Sequence, residues 1–157
     1  MDSYERRSQI IGTRATAVRQ MRDECDAGTS HTLFPQAKMK TILVVDEERS
    51  IVTAWKRILQ LEAYRVLTAN NGREGLFAAN GEKPDLIITD RSTSIMYGVD
   101  FCRHLKLGRK FARTPVILTS ADPLDPADAT LGDEFLLKPV SMQMLLASVR
   151  RLLNPCP

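Results

Sequence analysis

Four short apolar runs, each ended by a charged or hydroxyl-bearing residue, constrain this chain more than any other feature. Ile42 to Val45 leads into Asp46-Glu47, and Leu86 to Thr89 leads into Asp90. Pro115 to Thr119 leads into Ser120-Ala121, and Phe135 to Leu137 leads into Lys138-Pro139. Short apolar runs separated by helix-like stretches imply a parallel sheet buried on both faces. Ligands of such sheets bind beyond the carboxyl ends of the strands, where the strand order reverses. The chain therefore brings three carboxylates, one hydroxyl and one ammonium to one edge. Those donors suit a divalent cation and a phosphoryl group.

From Lys40 onward the chain reads as five strand-plus-helix units. Strand one covers 41–45, and the helix after it carries Ile51, Val52, Trp55, Ile58 and Leu59 on one apolar face. Strand two covers 64–69, followed by a short helix over 73–79 that Asn80-Gly81 should stop. Strand three covers 85–89, and a loop rich in Ser and Thr leads to a helix around 99–105. Strands four and five cover 115–119 and 135–137. Pro123 and Pro126 leave room between them for only a shortened fourth helix. The last helix starts after Ser141, a good N-cap, and should bury Met142, Leu145, Leu146, Val149 and Leu152. Alternating strands and helices give an α/β fold with right-handed crossovers. The expected division is an N-terminal extension over 1–39, partly helical or disordered, a body over 40–153 and a tail over 154–157.

Composition excludes several classes. Of 157 residues 43% are hydrophobic and 26% charged, ordinary for one globular domain. The net charge of +3 is small, and no basic half singles out nucleic acid as a partner. Arg103, His104, Lys106, Arg109, Lys110 and Arg113 form a basic stretch, but without an interleaved aromatic pair it reads as solvated surface. Cys25, Cys102 and Cys156 show neither zinc spacing nor a disulfide framework, which points to reduced thiols in a cytoplasm. Residues 1–20 lack the apolar core of a signal peptide, and no apolar run is long enough to span a bilayer. In 1–39 the stripe Ile10, Ile11, Ala15, Val18 and Met21 suits one amphipathic helix but no core. Met39, directly before strand one, competes with Met1 as the translation start.

Each candidate site residue has a plain alternative. Asp46, Glu47 and Glu48 could be a solvated acidic helix start, which favours the helix dipole. Adjacent carboxylates at a strand end otherwise call for a cation, and Mg²⁺ takes one or two carboxylates together with phosphate oxygens. Asp90 could be a turn or capping residue, or a nucleophile that forms an acyl phosphate. Lys138 could snorkel to the surface, or pair with a carboxylate and then with a phosphoryl group. Ser120 could serve turn chemistry, or donate to a phosphoryl oxygen beside the small Ala121. Four such alternatives holding at four strand ends of one sheet would be a coincidence.

The segments Ile42-Leu-Val-Val-Asp46-Glu47-Glu48, Pro84-Asp-Leu-Ile-Ile-Thr-Asp90, Gly98, Pro115-Val-Ile-Leu-Thr-Ser120-Ala121 and Phe135-Leu-Leu-Lys138-Pro139 together resemble the receiver domain of bacterial two-component response regulators. The resemblance covers residues 40 to about 153. It implies a flavodoxin-like, doubly wound five-stranded parallel sheet of order 2-1-3-4-5. It implies that Asp90 is the phosphoacceptor for a histidine kinase or phosphotransfer protein. It implies Mg²⁺ held through Asp46, Glu47, Asp90 and the Ser92 carbonyl. Ser120 and Lys138 match the switch hydroxyl and the phosphoryl-pairing lysine, and Phe135 matches the aromatic switch position. The protein would then be a signalling phosphoacceptor rather than a conventional enzyme, of the single-domain type, acting through a downstream effector.

Four departures from the family pattern stand out. Glu47 replaces the usual Asp and adds a methylene, and Thr93-Ser94 replaces the usual Met-Pro. Phe135 lacks the hydroxyl of a Tyr. The connection between Ser120 and Lys138 is short. Glu47 and that short connection support a second reading, a pseudo-receiver that binds a partner without phosphorylation. A third reading, a haloacid-dehalogenase-like phosphohydrolase, expects a D-x-D motif after strand one, where this chain has Asp46-Glu47-Glu48.

Overall fold

A computed structural model describes residues 38–128 and 130–154. The expected N-terminal extension, apart from its last two residues, and the last three residues of the tail lie outside the described residues. The elements in order are β1 (Thr41–Val45), α1 (Arg49–Leu61), β2 (Arg65–Ala69), α2 (Gly72–Glu82), β3 (Leu86–Asp90), α3 (Gly98–Leu107), β4 (Val116–Ser120), β5 (Glu134–Leu137) and α4 (Met142–Leu153). All five strands pair in parallel in the order β2-β1-β3-β4-β5. The fold is the expected α/β one. The strand order reverses at β1, so the crevice lies between the ends of β1 and β3.

The apolar runs are continuous because both sheet faces are covered. Ile42, Val44, Leu86, Ile88, Ile117 and Leu136 pack with Trp55 and Leu59 of α1 and with Leu145 and Val149 of α4. Leu43, Val45, Ile87, Val116 and Leu118 pack on the other side with Ala79 of α2 and with Phe101, Cys102 and Leu105 of α3. Period-two alternation sends neighbours on one strand to opposite cores. Each fully buried Ile or Leu contributes roughly 2 kcal/mol through the area it removes from water. Burial also pushes the Cys102 thiol up to about 12, so it packs as a small apolar group.

Local chemistry sets the element ends. Asn71 Oδ1 accepts from Glu74 N, and Ser141 Oγ accepts from Met144 N, so α2 and α4 both start on side-chain caps. Asp85 ties the starts of β1 and β3 together, because its Oδ2 accepts from Thr41 N at 2.8 Å and Lys40 Nζ donates to its Oδ1 at 3.1 Å. At the other end of β3, α3 begins against the strand: a Cβ on Gly98 would stand 1.9 Å from the Asp90 carbonyl oxygen. Only glycine permits that approach.

Three expectations need correction. α2 does not stop at Asn80-Gly81 but runs to Glu82. Asn80 Nδ2 donates to Leu76 O within the helix, and the left-handed residue that closes it is Lys83, at φ 48°. Met142 is exposed, because α4 turns its first residue outward before Leu145 reaches the core. Among the described residues no helix at all lies between β4 and β5. The two prolines and the repeated aspartates leave only turns there. Ion pairs hold the segment instead: Arg91 lies 3.5 Å from Asp125 and 3.6 Å from Asp128, Arg103 lies 3.2 Å from Asp128, and Lys106 lies 2.8 Å from Asp133.

Candidate functional site

β1 and β3 end side by side, and β4 and β5 end beyond them, so Asp46, Asp90, Ser120 and Lys138 emerge at one edge of the sheet. Asp46 and Asp90 are nearly buried, 2% and 7% exposed. Lys138 joins them: its Nζ donates to Asp46 Oδ2 at 3.0 Å and lies 2.7 Å from Asp90 Oδ1. The remaining oxygens take backbone donors. Glu48 N donates to Asp46 Oδ1 and Ser92 N to Asp90 Oδ2, both at 2.8 Å. Both carboxylates are thus oriented by one ammonium and one amide each.

The electrostatics follow from crowding charge at a buried edge. Burial holds the Asp46 carboxyl above its ordinary range, and neighbouring Asp90 adds to that, despite the Glu48 amide and the Lys138 ammonium. Burial alone would lower the Lys138 ammonium, but its hydrogen bonds with Asp90 and Asp46 outweigh it and hold the group above its usual value. Lys138 is therefore charged at neutral pH.

The other expected residues sit around this triad. Ser120 is buried at the end of β4, where its Oγ accepts from Asp122 N at 3.1 Å and its carbonyl accepts from Lys138 N at 2.8 Å. Phe135 pairs with Leu118 in the β4–β5 ladder and is half-buried. Ser92 is exposed in the loop after β3. Glu47 is also exposed, and its Oε2 accepts from Ser94 N at 3.1 Å. The structure therefore brings Asp46, Asp90 and Lys138 into contact, keeps Ser120 alongside, and turns Glu47 to the loop. His104 is exposed, with Nδ1 2.7 Å from Asp100 O, and Lys110 donates to Asn80, so the basic stretch is partly spent on internal partners.

Two participants escaped the sequence reading. The Ser94 amide, as the partner of Glu47, carries no side-chain signal. Arg91 engages Asp125 and Asp128, which are separated from it by more than thirty residues; only the repeated aspartates of 122–133 hinted at a basic partner.

The donor set fits Mg²⁺ in its chemistry: it is oxygen throughout, and three carboxylates against one ammonium leave a double negative charge. Among the described residues no three His, Cys, Asp or Glu side chains converge as a ready ligand group. Glu47, held by Ser94, is the one turned aside.

Comparison with known proteins gives the family and agrees with the fold. Residues 42–150 match the model of the response regulator receiver domain. The chain is 37% identical over 120 residues to the alkaline phosphatase synthesis transcriptional regulatory protein PhoP of Bacillus subtilis, an alignment covering 73% of this chain and 49% of that protein. It is 32% identical over 116 residues to the response regulator MprA of Mycobacterium tuberculosis, covering 72% and 50%. The chain thus spans about half the length of the curated relatives it matches. Among solved structures, chemotaxis protein CheY4 of Vibrio cholerae superposes with a TM-score of 0.67 at 28% identity, covering 73% of this chain and 98% of that one. The response regulator TrrA of Thermotoga maritima, in complex with Mg(2+)-BeF, gives 0.67 at 30% identity, covering 73% and 99%. No described helix is long and apolar enough to cross a membrane. By sequence, by fold and by the residues at its sheet edge, the chain belongs to the receiver domain family of two-component response regulators.

Proposed function

We propose that this receiver accepts a phosphoryl group on Asp90 from a histidine kinase or phosphotransfer protein and passes the signal to a downstream effector in the cytoplasm. The observation that carries the reading is Lys138 Nζ held 2.7 Å from Asp90 Oδ1 and 3.0 Å from Asp46 Oδ2 at a nearly buried edge. In the transfer, an Asp90 carboxylate oxygen forms a bond to phosphorus while the phosphorus–nitrogen bond of the donor histidine breaks. The departing imidazole keeps the electron pair. Lys138 is then positioned to pair with the new phosphoryl oxygens, and Ser120 Oγ to donate to one of them. Asp46, Glu47, Asp90 and the Ser92 carbonyl would hold Mg²⁺, whose charge offsets that of the incoming phosphoryl group. Catalysis is positioning and charge neutralisation on the protein's own side chain.

The engagement of Glu47 by Ser94 N favours a second reading, a pseudo-receiver that binds a partner without phosphorylation. Acetyl phosphate with Mg²⁺ separates the two. The phosphoacceptor reading expects one acid-stable, hydroxylamine-sensitive phosphoryl group, absent from Asp90→Asn. Label that persists on that variant moves the site elsewhere, and no label from acetyl phosphate or from a kinase leaves the binding module.

A further inference from the structure

The loop between Asp90 and Gly98 contains the one β-branched residue among the described residues with a left-handed backbone. Ile95 has φ 67° and its side chain is 78% exposed, so no core packing compensates for the conformation. Met96 N donates to Ser94 O at 2.7 Å across Ile95. A positive φ spanned by such a bond is the rare, strained form of γ-turn. Two contacts brace it. Thr93 Oγ1, on a buried residue, donates to Met96 O at 2.7 Å, and Ser94 N donates to Glu47 Oε2 at 3.1 Å. The second brace is the only one that leaves the loop, and its acceptor is a carboxylate assigned above to the metal.

We propose that Glu47 is shared between Ser94 N–H and the divalent cation, so that the hydrogen bond bracing the strained turn at Ile95 is a built-in competitor of metal binding. This rests on the metal-dependent reading of the site. An Asp at this position would have a shorter arm; the additional methylene of Glu47 lets the carboxylate reach the loop across the mouth of the site. While Ser94 holds Glu47, the turn stays braced and the metal lacks a ligand. When Glu47 swings to the metal, Ser94 N–H is released and the turn at Ile95 is free to relax. The strain released on that step favours the metal-bound arrangement, whereas the Ser94–Glu47 hydrogen bond opposes it. Metal loading and the surface displaying Ile95 and the exposed Tyr97 are thereby coupled.

Two substitutions should act in opposite directions, which simple damage to the loop would not do. Ser94→Pro removes the N–H that competes for Glu47, and Mg²⁺ should bind about 3- to 10-fold more tightly, the range for loss of one ordinary hydrogen bond, since solvent at this exposed site weakens the charge-assisted one. Ile95→Asn accepts the left-handed conformation without strain and without the added freedom of glycine, so the braced state is stabilised and Mg²⁺ should bind about 3-fold or more weakly. Calorimetric titration of Mg²⁺ into the full chain gives the affinities. Two-dimensional ¹H–¹⁵N spectra report the amides of Ser94, Ile95 and Met96, which should shift on metal addition in the wild type. Equal affinities in all three proteins, or both variants weakened, with those amides unmoved, would overturn the competition while leaving the metal site intact. Absence of Mg²⁺ binding from every protein would overturn the metal reading and this inference together.

Discussion

Lys138→Met is the sharpest test of how this site is held together. The substitution keeps the length and most of the apolar volume of the side chain and removes only the ammonium. Its loss leaves Asp46 and Asp90, 2% and 7% exposed, facing each other without the cation that joins them. Removing one partner of a buried ion pair costs about 3–5 kcal/mol. The Lys138 side chain is 20% exposed, so water replaces part of the lost charge and the expected cost falls to about 2–3 kcal/mol. The cost should depend on pH, and the sign is fixed. Without Lys138 less offsets the burial that already raises the Asp46 carboxyl, so the folded variant favours its neutral form. The contribution of that form is fully present below about pH 4 and lost as pH rises through the raised folded value of Asp46. The gap between wild type and variant should therefore be small in mild acid and full at pH 7. Mg²⁺ should close part of it by supplying the missing positive charge. Urea unfolding between pH 4 and pH 8, with and without Mg²⁺, measures all of this. A gap below about 0.5 kcal/mol at pH 7, or one independent of pH, would refute the account of the triad, since it would mean the pair contributes no more than a surface one.

Other outcomes follow from single contacts. Gly98→Ala places a methyl group 1.9 Å from the Asp90 carbonyl oxygen; it should destabilise by more than about 2 kcal/mol and slow phosphorylation, both measurable in one preparation. Glu47→Ala should weaken Mg²⁺ binding and labelling together, and unchanged values for both would remove Glu47 from the ligand set. Asp85 is held below its ordinary value of 3.8, burial being outweighed by the Thr41 amide and the Lys40 ammonium. Its contribution is present above about pH 4 and lost as pH falls through the depressed folded value, so Asp85→Asn should cost stability at pH 7 and almost nothing near pH 2 in urea titrations. Asp128→Ala removes the shared partner of Arg91 and Arg103; amide exchange over 122–133 should quicken while β4 stays protected.

The sheet was legible because its three central strands, β1, β3 and β4, are buried on both faces. Ile42 to Val45 and Leu86 to Ile88 are apolar without interruption, and that pattern has few other solutions. The triad was legible for the same reason: a charge that ends such a run is conspicuous. Contacts between backbone and side chain were not legible. The partner of Glu47 is an amide in a loop whose path depends on a left-handed Ile95, and nothing in the residue type announces that conformation. The end of α2 was misplaced because Asn80-Gly81 has stop chemistry that the helix overrides, Asn80 bonding back to Leu76 instead of capping. The segment between β4 and β5 was half legible. Its prolines excluded a regular helix, but its fastening depends on Arg91, Arg103 and Lys106, distant in sequence.

That fastening changes how the segment can respond to events at Asp90. A packed amphipathic helix would be held by apolar area, which salt leaves nearly untouched. Here the links to the rest of the body include ion pairs with partly exposed partners, each worth about 0–1 kcal/mol and screened within a Debye length of about 8 Å at physiological ionic strength. Leu124 and Leu131 add some packing against the core. One of the ion-paired residues, Arg91, directly follows Asp90, and its amide donates to Thr119 O, one residue before Ser120. The segment is therefore tied at one end to Ser120 through the chain and at its middle to the residue after Asp90 through charge. A displacement of either anchor competes against only a few small terms, so the segment is soft where a helix would be stiff, and its stiffness should fall as salt rises. Protection of 122–133 that is the same in low salt and in 1 M salt would show that Leu124 and Leu131, not the aspartates, hold it in place.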